Sequence, residues 1–156
     1  MSTDPPGHDL PLRLLLGFRV LVDGVHAELA RRGHPELRPV HGFVLQAVGP
    51  SGATAVELGR RLGVTKQAAA KHIEFLQDRG YLERATDPRD ARRKPVRLTG
   101  RAFDSLRISA AAFDELRAGW ARTLGEQRLR ALEADLRAVT PGAAFRLDLP
   151  GWFAGG

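Results

Sequence analysis

The octapeptide Asp87–Lys94 carries four cations, Arg89, Arg92, Arg93 and Lys94, among turn-forming residues. Like charges crowded on one tip repel each other unless an anion lies beside them. A nucleic acid supplies such an anion, and arginine is the residue that enters a narrow minor groove, where negative potential concentrates. A second group lies earlier in the chain: Thr65, Lys66, Gln67 and Lys71. Gln67 and Lys71 share one face of a helix. Glutamine can pair bidentately with adenine, and lysine can donate to guanine O6 and N7. Thr65, Lys66 and a helix N-terminus suit phosphate. Ala68 and Ala70 offer only apolar contact, as to thymine methyl groups, and His72 has the reach for the DNA backbone. The same residues also fit a solvated helix face, and the octapeptide also fits a flexible basic loop.

The distribution of charge supports a phosphate-binding surface. Residues 57–101 hold 12 Lys and Arg against 6 Asp and Glu, whereas the other 111 residues hold 12 of each. The whole net charge of +6 therefore sits on one central segment, the footprint expected of a nucleic-acid binder. All three lysines of the chain, Lys66, Lys71 and Lys94, fall in it.

Other chemistries have little support. With no cysteine there is no disulfide framework, Cys-ligated zinc, iron–sulfur cluster or thiol switch. The five histidines show no helical zinc spacing. His26, Glu28, His34 and His41 are a set that can in principle converge on a metal; ordinary surface and helix-end roles account for them better. No Gly-Lys-Ser/Thr phosphate loop and no Gly-x-Ser-x-Gly elbow is present, and Ser105 and Ser109 have no base at an evident spacing. The expectation is a protein without cofactor, metal or enzymatic activity. Hydrophobic residues make up 43% and charged residues 27% of 156 residues, values that fit one globular domain. Asp4 and Asp9 stand where a signal peptide needs basic residues, and Arg13 and Arg19 interrupt the first apolar run. No membrane span and a cytoplasmic location are expected.

The elements that must position the cations are legible in periodicity and punctuation. Residues 1–9 read as a flexible arm. Residues 10–48 read as two N-terminal helices for dimerisation and support. In the first, Leu14, Phe18, Leu21, Val25 and Leu29 form one apolar stripe. The second begins near Pro39 and carries Val40, Phe43, Val44 and Ala47. Residues 49–100 read as a DNA-binding unit. Thr54 and Glu57 make a capping box for a short helix burying Val56, Leu58 and Leu62. The turn Leu62-Gly63-Val64-Thr65 leads to a second helix burying Ala69, Ile73 and Leu76, which is a helix-turn-helix. Tyr81–Glu83 and Pro95–Leu98 then pair around the basic octapeptide as a hairpin, a wing. Residues 101–156 read as dimerisation helices and a tail. Thr99 caps a long helix with Phe103, Leu106, Ala110, Phe113, Leu116, Trp120 and Leu124 inward, and Leu129, Leu132, Leu136 and Val139 form the last stripe. Long apolar helices flanking a small winged unit need another surface, and a second copy supplies it by two-fold symmetry. The tail residues Phe145, Leu147, Leu149, Trp152 and Phe153 are expected to pack over that partner.

This order of pieces resembles the MarR family of bacterial transcription regulators. The resemblance is carried by Thr54–Thr65, by Leu76-Gln-Asp-Arg-Gly80-Tyr81-Leu82-Glu83-Arg84, and by the wing Asp87–Thr99. Its Asp90-x-Arg92 followed by Leu98-Thr99 is the most characteristic part. With the flanking helices, the resemblance covers nearly the whole chain. Two departures are Ala68-Ala69-Ala70, where many members carry Val and Ser or Thr, and Ala102, where Gly is frequent. The resemblance implies a mainly α fold with a small β-hairpin wing, a winged helix-turn-helix flanked by long dimerisation helices. It implies a homodimer on a pseudo-palindromic operator in double-stranded DNA, Arg92 in the minor groove, and Asp90 as the brace of the wing. It further implies repression released by a small aromatic or anionic effector. Arg19, His41, Phe43, Phe103 and Arg107 are the candidates to line its pocket; the core is the better place for Phe43 and Phe103, and Arg19 also suits a solvated helix face. The alternative function is an architectural DNA-binding protein without an effector.

Overall fold

The computed structural model describes residues 4–142, which form six helices and one hairpin among them. The order is α1 (Asp9–Arg31), α2 (Pro39–Val48), α3 (Ala55–Leu62), α4 (Lys66–Asp78), β1 (Leu82–Arg84), β2 (Val96–Leu98), α5 (Gly100–Leu124) and α6 (Glu126–Val139). This is the mainly helical, winged helix-turn-helix architecture expected from the sequence. The tail residues Phe145, Leu147, Leu149, Trp152 and Phe153 lie outside the described residues.

Local chemistry sets most boundaries. The Thr54 hydroxyl accepts from the Glu57 N–H at 3.2 Å, and the Glu57 carboxylate accepts from the Thr54 N–H at 2.9 Å. Thr65 and Thr99 cap α4 and α5 by accepting from the N–H groups of Ala68 and Ala102. Gly63 ends α3 at φ 68° and ψ 31°, a left-handed conformation that costs glycine little. The turn it makes swings α4 away from α3.

β1 and β2 are antiparallel, with Leu82 opposite Leu98 and Arg84 opposite Val96. Ala53 bridges Val96 from the other side, with backbone hydrogen bonds of 3.0 and 2.9 Å. Strand β2 is therefore bonded on both sides at Val96, and the Ala85 N–H donates to the Pro95 carbonyl at the start of the wing loop.

One core joins these pieces. Val25 and Leu29 of α1, Val44, Leu45 and Val48 of α2, Leu58 and Leu62 of α3, and Ala69, Ile73 and Leu76 of α4 meet the hairpin and α5 there. Helix α1 lies along α5. A Cβ on Gly24 would sit 2.9 Å from the Leu116 methyls, so this contact has no room for even an alanine without movement.

The apolar stripes differ from expectation in phase. On α5 the buried positions are Ala102, Ser105, Ile108 and Ala112, whereas Phe103 is 52% exposed and Phe113 is exposed. The helical period is right, but the stripe against the body is displaced by one residue, about 100° around the helix. Ala102, Ser105, Ile108 and Ala112 face the packed lobe, with Leu106 and Leu116 partly buried against it, and Phe103 and Phe113 face away. On α1 only the later part is buried, at Val22, Val25 and Leu29; Leu10, Leu12, Leu14, Leu16 and Val20 are exposed because this end extends beyond the winged lobe. In α6, Leu129 is buried, but Leu132, Leu136 and Val139 are exposed. Val56 is also exposed rather than buried, because it faces the wing side of α3.

Candidate nucleic-acid interface

Helix α4 buries Ala69, Ile73 and Leu76 and turns Lys66, Gln67, Ala70, Lys71 and Glu74 to solvent; Ala68 is half-buried. Thr65, its cap, is exposed. The side chains of Lys66, Gln67 and Lys71 make no hydrogen bond or ion pair among the described residues. A cleft of about 610 Å³ separates this face from the wing, and Lys66, Arg84, Arg92, Arg93 and Lys94 contribute to its walls. Lys66 of α4 and Arg92, Arg93 and Lys94 of the wing, distant in sequence, thus border one concave surface, while Lys71 and Arg89 lie outside its lining. Such a surface focuses positive potential onto whatever enters it.

The wing tip is built from two side-chain-to-backbone turns. Asp87 accepts from the Arg89 N–H and Asp90 from the Arg92 N–H, each at 2.9 Å. Arg93 anchors the tip to the body. Its guanidinium donates to both Glu57 oxygens, at 2.8 and 2.9 Å, and to Asp87 at 3.2 Å. That fork holds the Glu57 carboxyl below its ordinary range, helped by the Thr54 N–H, and raises the Arg93 guanidinium further. Glu57 therefore serves two ends, capping α3 and gripping the wing. Arg93 faces the cleft with its charge already countered, while Arg89, Arg92 and Lys94 make no side-chain ion pair among the described residues. Asp90 organises the turn that presents Arg92; the tie between wing and body is Arg93 to Glu57.

Behind α4 lies a cluster that sequence reading did not assemble. His41 of α2 stacks on Phe75 of α4 at 4.2 Å, and the Arg79 guanidinium lies over the Phe75 ring at 3.6 Å. His72 meets His41 edge-on at 6.2 Å. The His41 Nδ1 accepts from the Arg38 N–H, leaving the proton on Nε2. Burial, with His72, Arg38, Arg79 and His26 as neighbouring positive groups, holds His41 down to about 4. His72 is lowered by burial too. It is half-buried against α2, which takes it away from the fully exposed face of α4.

A second assembly joins the α1–α2 loop, the start of the hairpin and α5. The buried His34 ring bonds the Tyr81 hydroxyl through Nδ1 at 2.7 Å and Asp104 through Nε2 at 3.0 Å. The Tyr81 hydroxyl donates to Glu36 at 3.0 Å, and Arg101 reaches the same carboxylate at 2.7 Å. Tyr81 is fully buried, and this enclosure together with Glu36 pushes its hydroxyl pKa up. No buried side-chain polar atom among the described residues lacks a partner.

The candidate effector residues do not gather into one lining. Arg19 and Phe103 are exposed, Phe43 is half-buried, and His41 sits beneath Phe75. Of the five, Arg107 alone borders the cleft of about 460 Å³ between α1 and α5, beside Arg31, Arg32 and Glu28. It also donates to Asp104 at 2.7 Å. The candidate metal set disperses as well. His26 bonds the Leu37 carbonyl, Glu28 pairs with Arg31 and Arg32, and His34 and His41 have the partners above. Among the described residues no group of three or more His, Asp or Glu is arranged to hold a metal ion. No helix among them is long and apolar enough to cross a membrane.

Known proteins resemble this chain in sequence and in fold. A family model described as "MarR family" matches residues 37–93. The LexA repressor of Deinococcus radiodurans is 34% identical over 88 residues, covering 54% of this chain and 40% of that protein. The chain thus spans less than half the length of that curated relative. Streptococcus pneumoniae FabT, solved in complex with DNA, superposes with a TM-score of 0.71 at 15% identity, over 85% of this chain and 93% of FabT. Wild-type MarR of E. coli, in its apo form, superposes with a TM-score of 0.65 at 20% identity, over 90% of this chain and all of MarR. At these identities the superpositions establish a common fold.

Proposed function

We propose, from the premise that residues 37–93 of this chain are a MarR family domain, that the protein is a sequence-specific DNA-binding transcription regulator working as a homodimer. One observation carries the reading: Lys66 of α4 and Arg92 and Lys94 of the wing, none of them in an ion pair among the described residues, border a single cleft, and the chain outside residues 57–101 is neutral overall. Helix α4 is the element suited to the major groove, with Gln67 and Lys71 toward base edges and Thr65, Lys66, Ala68 and Ala70 along its approach. The wing suits the adjoining minor groove, with Arg92 inserted and Arg89 and Lys94 against phosphates. Arg93 contributes there while its fork to Glu57 keeps the tip in register.

A two-fold dimer presents two such helices about one helical turn of DNA apart and requires a pseudo-palindromic operator. The exposed apolar rows of α1 and α6 are the surface for the partner copy. The solved relative FabT was captured on DNA, and the curated relative is named a repressor; repression is the mode we assign. A small anionic or aromatic effector completes the reading. The α1–α5 cleft beside Arg31, Arg32 and Arg107, whose lining also holds Glu28 and Glu115, has the volume to take one. Such a ligand releases DNA only to the extent that it binds the released shape better.

The test is a salt titration of DNA binding that compares the promoter next to the protein's own gene with scrambled DNA of equal length. Tight binding to the promoter alone supports a regulator, and the complex then serves to screen for releasing ligands. Equal, steeply salt-dependent binding to both supports the architectural alternative.

A further inference from the structure

Residues 57–101 contain six carboxylates, and four of them are engaged. Glu57 and Asp87 hold Arg93, Glu83 pairs with Arg97 at 2.6 Å, and Asp90 accepts from the Arg92 N–H. Glu74 and Asp78 make no hydrogen bond or ion pair among the described residues, and of these two only Glu74 borders the cleft between α4 and the wing. It is exposed there, facing a wall that includes Lys66, Arg84, Arg92 and Lys94. Its neighbours one turn away on α4 are Ala70 and Asp78, and Lys71, three residues before it, forms no ion pair with it. A free carboxylate on a surface that must receive phosphates opposes binding. It favours binding only where the DNA offers it a hydrogen-bond donor. In the major groove, the donor that a carboxylate selects is the N4 amino group of cytosine.

We propose that Glu74 reads a cytosine in the operator half-site. The inference rests on the DNA-binding reading above and deepens it. The run Ala68-Ala69-Ala70 strips hydrogen-bonding groups from the middle of α4. Base discrimination by hydrogen bonding therefore falls to Gln67, Lys71 and Glu74. Lys71 and Glu74 are three residues apart, about 4.5 Å along the helix axis, comparable with the roughly 3.4 Å rise of one base pair. They address neighbouring base pairs, with guanine for the lysine and cytosine for the carboxylate.

The experiment is selection of binding sites from randomised duplexes by the full chain and by its E74A and E74Q variants, followed by titration of defined sites. The expected wild-type site has a cytosine beside a guanine in each half. E74A loses the cytosine preference at that position alone and binds the cytosine site about tenfold more weakly. E74Q moves the preference at that position toward adenine, the base that a glutamine pairs. Base preferences unchanged in both variants, with E74A tighter on every sequence by one common factor, overturn the inference: Glu74 then only repels phosphate. Wild-type protein with no base preference at any position overturns the regulator reading itself, and this inference with it. The two failures are thereby told apart.

Discussion

The cleft face of α4 and the wing, and the outer face of α1 and α6, both lack a partner among the described residues, and their chemistries are opposite. The first presents Lys66, Arg92 and Lys94, none of them in an ion pair among the described residues. The second presents leucines, with Leu10 at 66% and Val139 at 75% exposure. A row of free cations needs an anion, and water with salt can supply one at modest cost. A row of exposed leucines has no such substitute, because only another apolar surface removes it from water. The comparison teaches that the apolar face demands its partner more strongly; in the proposed function, DNA binding builds on an assembly made by hydrophobic burial. A third region, around His34 and Tyr81, asks for nothing further: its buried polar groups are all paired.

The largest effect is expected from attacking the apolar face. L132D combined with L136D leaves the monomer's buried core untouched, because both leucines are exposed in it. The expected outcome is a monomer by light scattering and operator binding roughly 100- to 10,000-fold weaker, since the two reading heads lose their linkage. An unchanged mass would remove the apolar face from the comparison.

Next is the histidine cluster behind α4. His41 is held down to about 4 in the folded chain, below the unfolded value of about 6.5. The folded protein therefore keeps His41 neutral while the unfolded chain takes up the proton. Stability is complete above about pH 6.5 and declines as pH falls toward 4, below which this contribution levels off. The loss is at most about 3 kcal/mol. Urea unfolding at pH 7 and at pH 4.5 measures it, and H41F, which keeps a ring on Phe75, is expected to flatten the difference. A pH dependence the same in H41F would place the titration elsewhere.

The closed region supplies the contrast in kind. Y81F removes one hydroxyl, which serves His34 and Glu36 together. The expected cost is about 1–3 kcal/mol of stability by denaturant unfolding, with the salt slope of DNA binding unaltered. A change in salt slope would mean that the network sets the angle of the wing.

The smallest effect belongs to a single free cation. R92A should reduce the salt slope of log K by about one and weaken operator binding without changing stability. R93A should differ from it, losing stability as well, because Glu57 and Asp87 lose their common partner. Identical behaviour of the two variants would erase the distinction between free and anchored cations.

The local part of the fold was legible in the sequence. Thr54 with Glu57, Thr65, Thr99 and Gly63 act on backbone within a few residues of themselves, so their type and spacing carried the helix boundaries. The basic octapeptide and the cations of α4 were legible as two groups for the same reason. The phase of the α5 stripe was not. Phe103 and Ala102 both lie on a helical period, and only the body against which α5 packs selects the small one.

What the sequence by itself determined was the set of elements, their order and the sign of the central segment, because caps, turns and periodicity are short-range. The tertiary structure alone decided which charges are free and which are held. Arg93 meets Glu57 across 36 residues, and His34 meets Tyr81 and Asp104 across 47 and 70. No spacing rule reaches that far, since such pairs form only after the core has brought their backbones together. The same packing left Glu74 without an ion pair and the leucines of α1 and α6 exposed among the described residues, because buried volume, not residue type, sets which face a helix turns inward.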